Sequence, residues 1–155
     1  HDVASSSNKL DALHCVLSAI HKQIAFVVGA TNSTTDAAMA FENRQGVCQD
    51  LAHIFIACSR ALSIPSRYIS GHLLRQDGQN FQEASHAWAE SYVDGLGWVA
   101  FDAANGICAD EHYVRVAVGL DYRDAAPVSG ARYGGGFETL SVGLHVRQSS
   151  EQSQS

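Results

Sequence analysis

The chain has no basic run, no apolar stretch long enough to cross a membrane, and no Cys or His pairs spaced to hold zinc. Each absence narrows the field. Ten Lys and Arg stand against sixteen Asp and Glu, for a formal net charge of -6. Phosphate binding needs clustered cations, so this balance argues against nucleic acid as a partner. No apolar run approaches the roughly 18 residues of a spanning helix, which argues against a membrane partner. No basic segment followed by an apolar one marks a secretory signal. The first residue is His1 rather than Met, so an upstream segment, a leader included, stays open.

The four cysteines, Cys15, Cys48, Cys58 and Cys108, form no CxxC pair, and there is no HExxH. A zinc site is not expected. His14 and His21 lie two helical turns apart, roughly 10 Å along the axis, too far to share one metal. Gly134-Gly135-Gly136 lacks a following Lys-Ser/Thr and a helix, and reads as a loop rather than a phosphate cradle. A domain of this size does not need disulfide staples. Free thiols in a reducing compartment, the cytoplasm, are the expectation.

What is present suits one globular domain spanning 1-155. Of the 155 residues, 46% are hydrophobic and 17% charged, enough for a sizeable core. Residues 1-7 and 149-155 read as disordered ends. Leu10, Leu13, Leu17, Ile20, Ile24 and Val27 recur at helical spacing, with Ser7 or Asn8 as the cap and Gly29-Ala30-Thr31-Asn32 as the close. A short helix is expected from Asp36 to about Asn43, capped by Thr35, with Ala37, Ala38 and Phe41 on its apolar side. A third helix should run from Val47 or Cys48 to Leu62. Leu51, Phe55, Cys58 and Leu62 mark its stripe, and Ala52 and residues 54-57 make it apolar nearly all round, as in a central helix. Pro65 enforces the stop.

Beyond Pro65 the period becomes two. Strands are expected over 66-74, 85-93, 97-102, about 113-118 and 140-146. Asp94-Gly95-Leu96 joins the second and third as a hairpin. Residues 75-83 and 121-136 read as loops. Helices first and an antiparallel sheet after them make an α+β pattern. Trp88 and Trp98 read as core, while Asp50 and Glu90 read equally as buried supports or solvated side chains.

Three residues carry candidate chemistry. Cys48 stands where a loop becomes a helix, and the free amides and dipole of a helix N-terminus favour a thiolate. Its own backbone amide could donate to an oxyanion there. Gly46 would let a substrate approach the backbone closely. His53, five residues on, is about 140° around the axis and faces away from Cys48. His86 is the better partner, on a strand with Trp88 and Glu90 on the same face. If Val93 pairs with Gly97, His86 sits opposite Ala104, and Asp102 is its diagonal neighbour at roughly 7–8 Å between backbones. A carboxylate there can orient the imidazole. Singly, each residue has a plain structural reading: a small core side chain, a partly buried His and a turn Asp. The shared hairpin register raises the joint reading.

Four ordered blocks carry a resemblance. They are Gly46-Val47-Cys48-Gln49-Asp50-Leu51-Ala52-His53, then residues 60-71 (Arg-Ala-Leu-Ser-Ile-Pro-Ser-Arg-Tyr-Ile-Ser-Gly), then Ser85-His86-Ala87-Trp88-Ala89-Glu90, then Gly97-Trp98-Val99-Ala100-Phe101-Asp102. Over about 10-148 the chain resembles the transglutaminase-like superfamily, and in particular bacterial transglutaminase-like cysteine peptidases. The resemblance implies a papain-like α+β core, with N-terminal helices and a central helix packed on an antiparallel sheet. It also implies Cys48, His86 and Asp102 as the catalytic set. Animal transglutaminases place Trp after the nucleophile, whereas Gln49 stands here, and no carboxylate cluster for calcium is evident. Both departures favour hydrolysis over crosslinking. Full-length bacterial relatives tend to carry a β-rich upstream segment, so the chain is expected to be a core fragment or an unusually short member.

The expected activity is therefore thiol-dependent hydrolysis of amide bonds in a peptide or protein substrate, through a thioester and without cofactor or metal. Acyl transfer to an amine is the first rival. A non-catalytic binding module on the same scaffold is the second.

Overall fold

The computed structural model describes residues 3–31, 36–74, 81–82, 85–126 and 144–145. Helix α1 spans Val3–Gln23. Its backbone is helical from Val3, although residues 1-7 were expected to fray and Ser7 or Asn8 to cap. Serines cost a helix only a few tenths of a kcal/mol each relative to alanine, roughly, so this extension is cheap. Leu13, Leu17 and Ile20 are buried, with Leu10 packed against them.

The first helix also ends sooner than its periodicity suggests. Ile24 N still donates to the Ile20 carbonyl, but Ala25 N donates to Arg44 and Val27 N to Gly46. Residues Ala25–Phe26 thereby form a short strand β1, parallel to β2 at Gln45–Gly46. Val27 leaves the helix and is exposed. Pairing with the segment before the central helix takes over the backbone groups a longer helix would use, and Val27-Val28 are β-branched, which suits extended backbone.

Helix α2 is Ala37–Asn43. Asp36, expected inside the helix, is its N-cap and accepts from Ala38 N at 3.1 Å; Thr35 lies outside the described residues. The buried residue is Ala40, and Phe41 points to solvent. Of the expected apolar side, Ala37 packs against the core, whereas Ala38 and Phe41 are exposed and Ala40 takes the buried place.

Helix α3, Cys48–Ala61, is the centre of the molecule. Leu51, Ala52, Ile54, Phe55 and Ile56 are buried, whereas Leu62 is the C-cap and half exposed. One side meets α1, and another lies on the sheet. Phe55 stacks on Phe101 with ring centroids 5.1 Å apart. Pro65 follows the helix, and strand pairing begins at the next residue.

The strands are β3 (Ser66–Leu73), β4 (Phe81–Gln82), β5 (His86–Val93), β6 (Gly97–Asp102), β7 (Ile107–Cys108), β8 (Tyr113–Gly119) and β9 (Leu144–His145). Five form one sheet in the order β7-β6-β5-β3-β8, every pair antiparallel. β4 and β9 pair with each other. Of the strand expected at 140-146, Leu144 and His145 are described. Of the loops expected at 75-83 and 121-136, residues 81–82 instead form β4 and residues 121–126 run in turns; the remainder lies outside the described residues. The architecture is the expected α+β one: two layers, with the core between α1, α3 and one face of the sheet. Among the described residues no helix is long and apolar enough to cross a membrane.

The β5–β6 hairpin has the expected register, Val93 opposite Gly97. Gly95 and Gly97 have φ of 81° and 82°, a region that only glycine enters without cost. A bulge interrupts the β3–β8 pairing between Ser70 and Gly71. A Cβ on Gly71 would overlap the Val114 carbonyl and the Trp88 ring. Gly71→Ala should therefore force β8 outward and cost about 1–3 kcal/mol, the usual penalty for overpacking. Thermal unfolding of the variant should show a midpoint several degrees lower; an unchanged midpoint would mean that the contact relaxes freely.

Candidate active site

Cys48 is the first residue of α3, and its approach is built by Asp50. The Asp50 carboxylate is buried and accepts from Val47 N at 2.8 Å and from the Thr31 hydroxyl. It satisfies one of the amides left free where the helix begins and places negative charge at the positive end of the dipole. Gly46 serves this arrangement. A Cβ there would come within 2.9 Å of Asp50 and press on Ala40. The space over Gly46 is thus filled by protein, which corrects the expectation that it admits substrate.

His86 opens β5. Its Nε2 lies 2.6 Å from Asp102 Oδ2, and Cys48 lines the same cavity as the ring, near enough for its charge to act on it. The structure therefore brings together all three residues singled out in the sequence. The route is slightly different from the expected ladder. β5 and β6 pair as far as Ala89 and Phe101, and then the chain turns through residues 103–106 to pair Asp102 with Ile107. Asp102 thus sits at the last rung, and Ala104 lies in the turn rather than opposite His86.

Asp102 is fully buried and would cost several kcal/mol, roughly, if left unpaired. It is not. Oδ1 accepts from Ala104 N at 3.0 Å and Asn105 N at 3.2 Å. Oδ2 accepts from Asn105 Nδ2 and Tyr113 Oη, both at 2.7 Å, beside the bond with His86. Sequence reasoning missed Asn105 and Tyr113. The Asp102…Asn105-Gly106 spacing was a turn signal that could have found Asn105, because side chains of this type bind backbone two or three residues away. Tyr113 carried no such signal, since it arrives from β8, across the sheet.

The electrostatics follow from these contacts. Burial works against charge on both partners. In His86 the bonds and charges of Asp102 and Cys48 outweigh it and push the imidazole up to about 9. In Asp102 burial is outweighed by His86, then Tyr113 and Asn105, which hold the carboxyl below its ordinary range. An ionised Asp102 beside a protonated His86 is the resting arrangement at neutral pH.

Asp50 and Glu90 prove to be buried supports. Glu90 pairs with Arg67 at 2.7 Å and Arg115 at 3.0 Å, bracing β5 against β3 and β8. Trp88 is core, against His86 and Tyr113. Trp98, also expected in the core, is 42% exposed because it lies on the solvent side of the sheet, where the Arg67 guanidinium covers it at 3.9 Å. His53 is apart from the trio and stacks on Tyr68. All four cysteines are free. Among the described residues no three His, Cys, Asp or Glu converge as a metal would need.

Cys48 and His86 open onto a cavity of about 560 Å³. Phe26, Val28, Tyr68 and Tyr122 contribute to its walls. A partly apolar cleft of that size, with a thiol and an imidazolium at one side, can hold an acyl group against a nucleophile.

Comparison with known proteins agrees with this picture. Residues 1–103 match the model of the transglutaminase-like superfamily, and the chain belongs to that superfamily. It is similar to an uncharacterized protein of Mycobacterium leprae, 34% identical over 128 residues, covering 80% of this chain and 45% of that one. An uncharacterized protein of Mycobacterium tuberculosis is 31% identical over 133 residues, covering 80% and 42%. The chain thus spans less than half the length of the curated relatives it matches. A solved protein of Cytophaga hutchinsonii, described as a "putative cysteine protease", has a TM-score of 0.65 at 36% identity, over 74% of this chain and 37% of that one. Fold and likeness together give the chain the general scope of a thiol enzyme.

The charge on His86 makes stability depend on pH. Its folded value lies above its ordinary 6.5, so its contribution is complete below about 6.5 and is lost as pH rises through about 9. The melting temperature should fall more steeply between pH 7 and 9.5 in the wild type than in His86→Gln. Parallel curves would show that His86 carries no proton in the fold.

Proposed function

We propose that the protein is a thiol hydrolase of amide bonds in peptide or protein substrates, acting through Cys48, His86 and Asp102. The observation that carries this reading is the 2.6 Å His86–Asp102 pair beside Cys48, thiol and imidazole lining one substrate-sized cavity. Asp102, fixed by its bonds, holds the imidazole in place and stabilises its charged form.

The reaction has two halves. The Cys48 sulfur attacks the carbonyl carbon, a C–S bond forms, and the carbonyl π pair moves to oxygen. The oxyanion collapses and the C–N bond breaks. The amine leaves with the proton from His86, and a thioester remains on Cys48. Neutral His86 then takes a proton from water as it attacks the thioester. The C–S bond breaks, the acid is released, and the Cys48 sulfur is freed beside a His86 that is protonated again. A primary amine in place of water would give acyl transfer. Gln49 after the nucleophile, where animal transglutaminases are expected to carry Trp, supports hydrolysis.

Peptide-library digestion read by mass spectrometry tests the proposal. Wild type should release new carboxyl termini, and Cys48→Ala should lose at least about 10⁴-fold in kcat/KM, since the nucleophile itself is gone. Retained cleavage by Cys48→Ala would end the reading. Products appearing only as amides of an added primary amine would replace hydrolysis with transfer.

The alkaline limb of the rate profile offers a separate check. His86 must bring a proton to the leaving amine, so kcat/KM for an amide should fall with an apparent pKa of about 9. A rate that keeps rising past pH 10 would remove His86 from that role.

A further inference from the structure

The cavity wall beside Cys48 contains a polar group that the steps above leave unused. Tyr68, on β3, is 1% exposed, and two aromatic rings pack against its own. His53 stacks on one face with centroids 4.8 Å apart, and Tyr122 meets it edge-on at 6.3 Å. His53 is in turn positioned by the backbone, its Nε2 accepting from Tyr122 N in a long 3.4 Å bond. That bond needs a neutral imidazole at Nε2, and burial holds the His53 pKa below its ordinary value.

Among the described residues the Tyr68 hydroxyl has no hydrogen-bond partner, yet it is not sealed in. Among the described residues the buried side-chain atom without a partner is His72 Nδ1. The phenol oxygen therefore meets the cavity that Tyr68 and Cys48 both line. Burial, and after it the charge of Cys48, push its pKa upward, so the phenol stays a hydrogen-bond donor. A clamped ring presenting one unpaired O–H beside a nucleophile is a preorganised donor, the kind of group that stabilises developing negative charge without rearranging. Gln49 also lines the cavity, but its side chain has three rotatable bonds and lacks such a clamp.

We propose that the Tyr68 hydroxyl and the Cys48 backbone N–H together bind the oxyanion formed when Cys48 attacks a carbonyl. This rests on the assignment of Cys48 as an acyl-accepting nucleophile. When the C–S bond forms, the carbonyl π electrons move to oxygen, and that oxygen lies between the helix N-terminus and the phenol. When the intermediate collapses, the pair returns and the leaving group departs. Tyr68 donates a hydrogen bond throughout and transfers no proton. His53 and Tyr122 are positioning residues for this donor.

The test compares two reactions of Cys48, read by mass spectrometry in wild type and Tyr68→Phe. Acylation by p-nitrophenyl acetate passes through a tetrahedral oxyanion, whereas alkylation by iodoacetamide is a direct displacement with none. Tyr68→Phe should acylate roughly 100-fold more slowly, with alkylation unchanged and the thermal midpoint unmoved, since the lost hydroxyl has no partner among the described residues. Equal acylation rates in the two proteins would overturn the proposal. So would a parallel loss of both reactions, which would place the effect on the thiol. Wild type that is acylated at Cys48, shows the Tyr68 effect and yet cuts no peptide would uphold the oxyanion pair while overturning the assignment as a peptide hydrolase.

Discussion

A single buried charge organises this structure. Asp102 has no contact with solvent, and its carboxylate survives there because five hydrogen bonds reach it. They come from β5, from β8 and from the turn that follows Asp102 itself. A carboxylate removed from water without such partners would take up a proton or unfold its surroundings. The position of Asp102 therefore demands that β5, β6 and β8 all be in place at the same end of the sheet. The imidazole of His86 is held as one of the five donors, and its charge follows from that position. Helix α3 then has only to deliver Cys48 to the other side of the ring. Asp50 makes that delivery definite by tying the start of the helix to Val47 and Thr31.

The parts of this architecture that were legible in the sequence are those with local causes. A helical stripe from Leu51 to Phe55, a stop at Pro65 and a glycine-containing turn after Val93 depend on neighbours a few residues away. So does the hairpin register that brings Asp102 towards His86. What escaped was decided by distant partners. Periodicity carried the first helix through Val27, but the backbone of residues 25–27 found Arg44 and Gly46 instead. Phe41 looked like a core residue of α2, but Ala40 faces α3 while Phe41 faces water. Gly46 looked like room for substrate and turned out to be room for Asp50. Tyr113 completes the bonding of Asp102 from a strand that is not next to β6 in the sheet, a relation that no local pattern encodes.

The two faces of the sheet answer to different demands. The face towards α3 is filled by Tyr68, Ala87, Ala89, Val93 and Phe101, small or flat groups that let a helix lie close. The other carries Glu90 with its two arginines, and Trp98 under the Arg67 guanidinium. Glu90 is buried like Asp102, but it is neutralised by fixed cations and has no titrating partner. The contrast separates an ion pair with guanidiniums, which braces strands, from a pair with an imidazole, whose proton can move.

The bulge between Ser70 and Gly71 has a consequence for how freely the protein can change. Residues 113, 115 and 117 of β8 share one parity, and in a regular strand their side chains would all emerge on the same side. One extra residue breaks that rule. Ala117 packs towards the core, whereas Arg115 and Tyr113 reach Glu90 and Asp102. The strand is thus divided into two modules that meet at Val116. Substitutions in the half that builds the interior do not propagate by register into the half that braces the chemistry, and the two can drift separately. Deleting Val116 would fuse them into one regular strand with both registers kept, since Ala117 and Arg115 would become neighbours on opposite faces, as they already are.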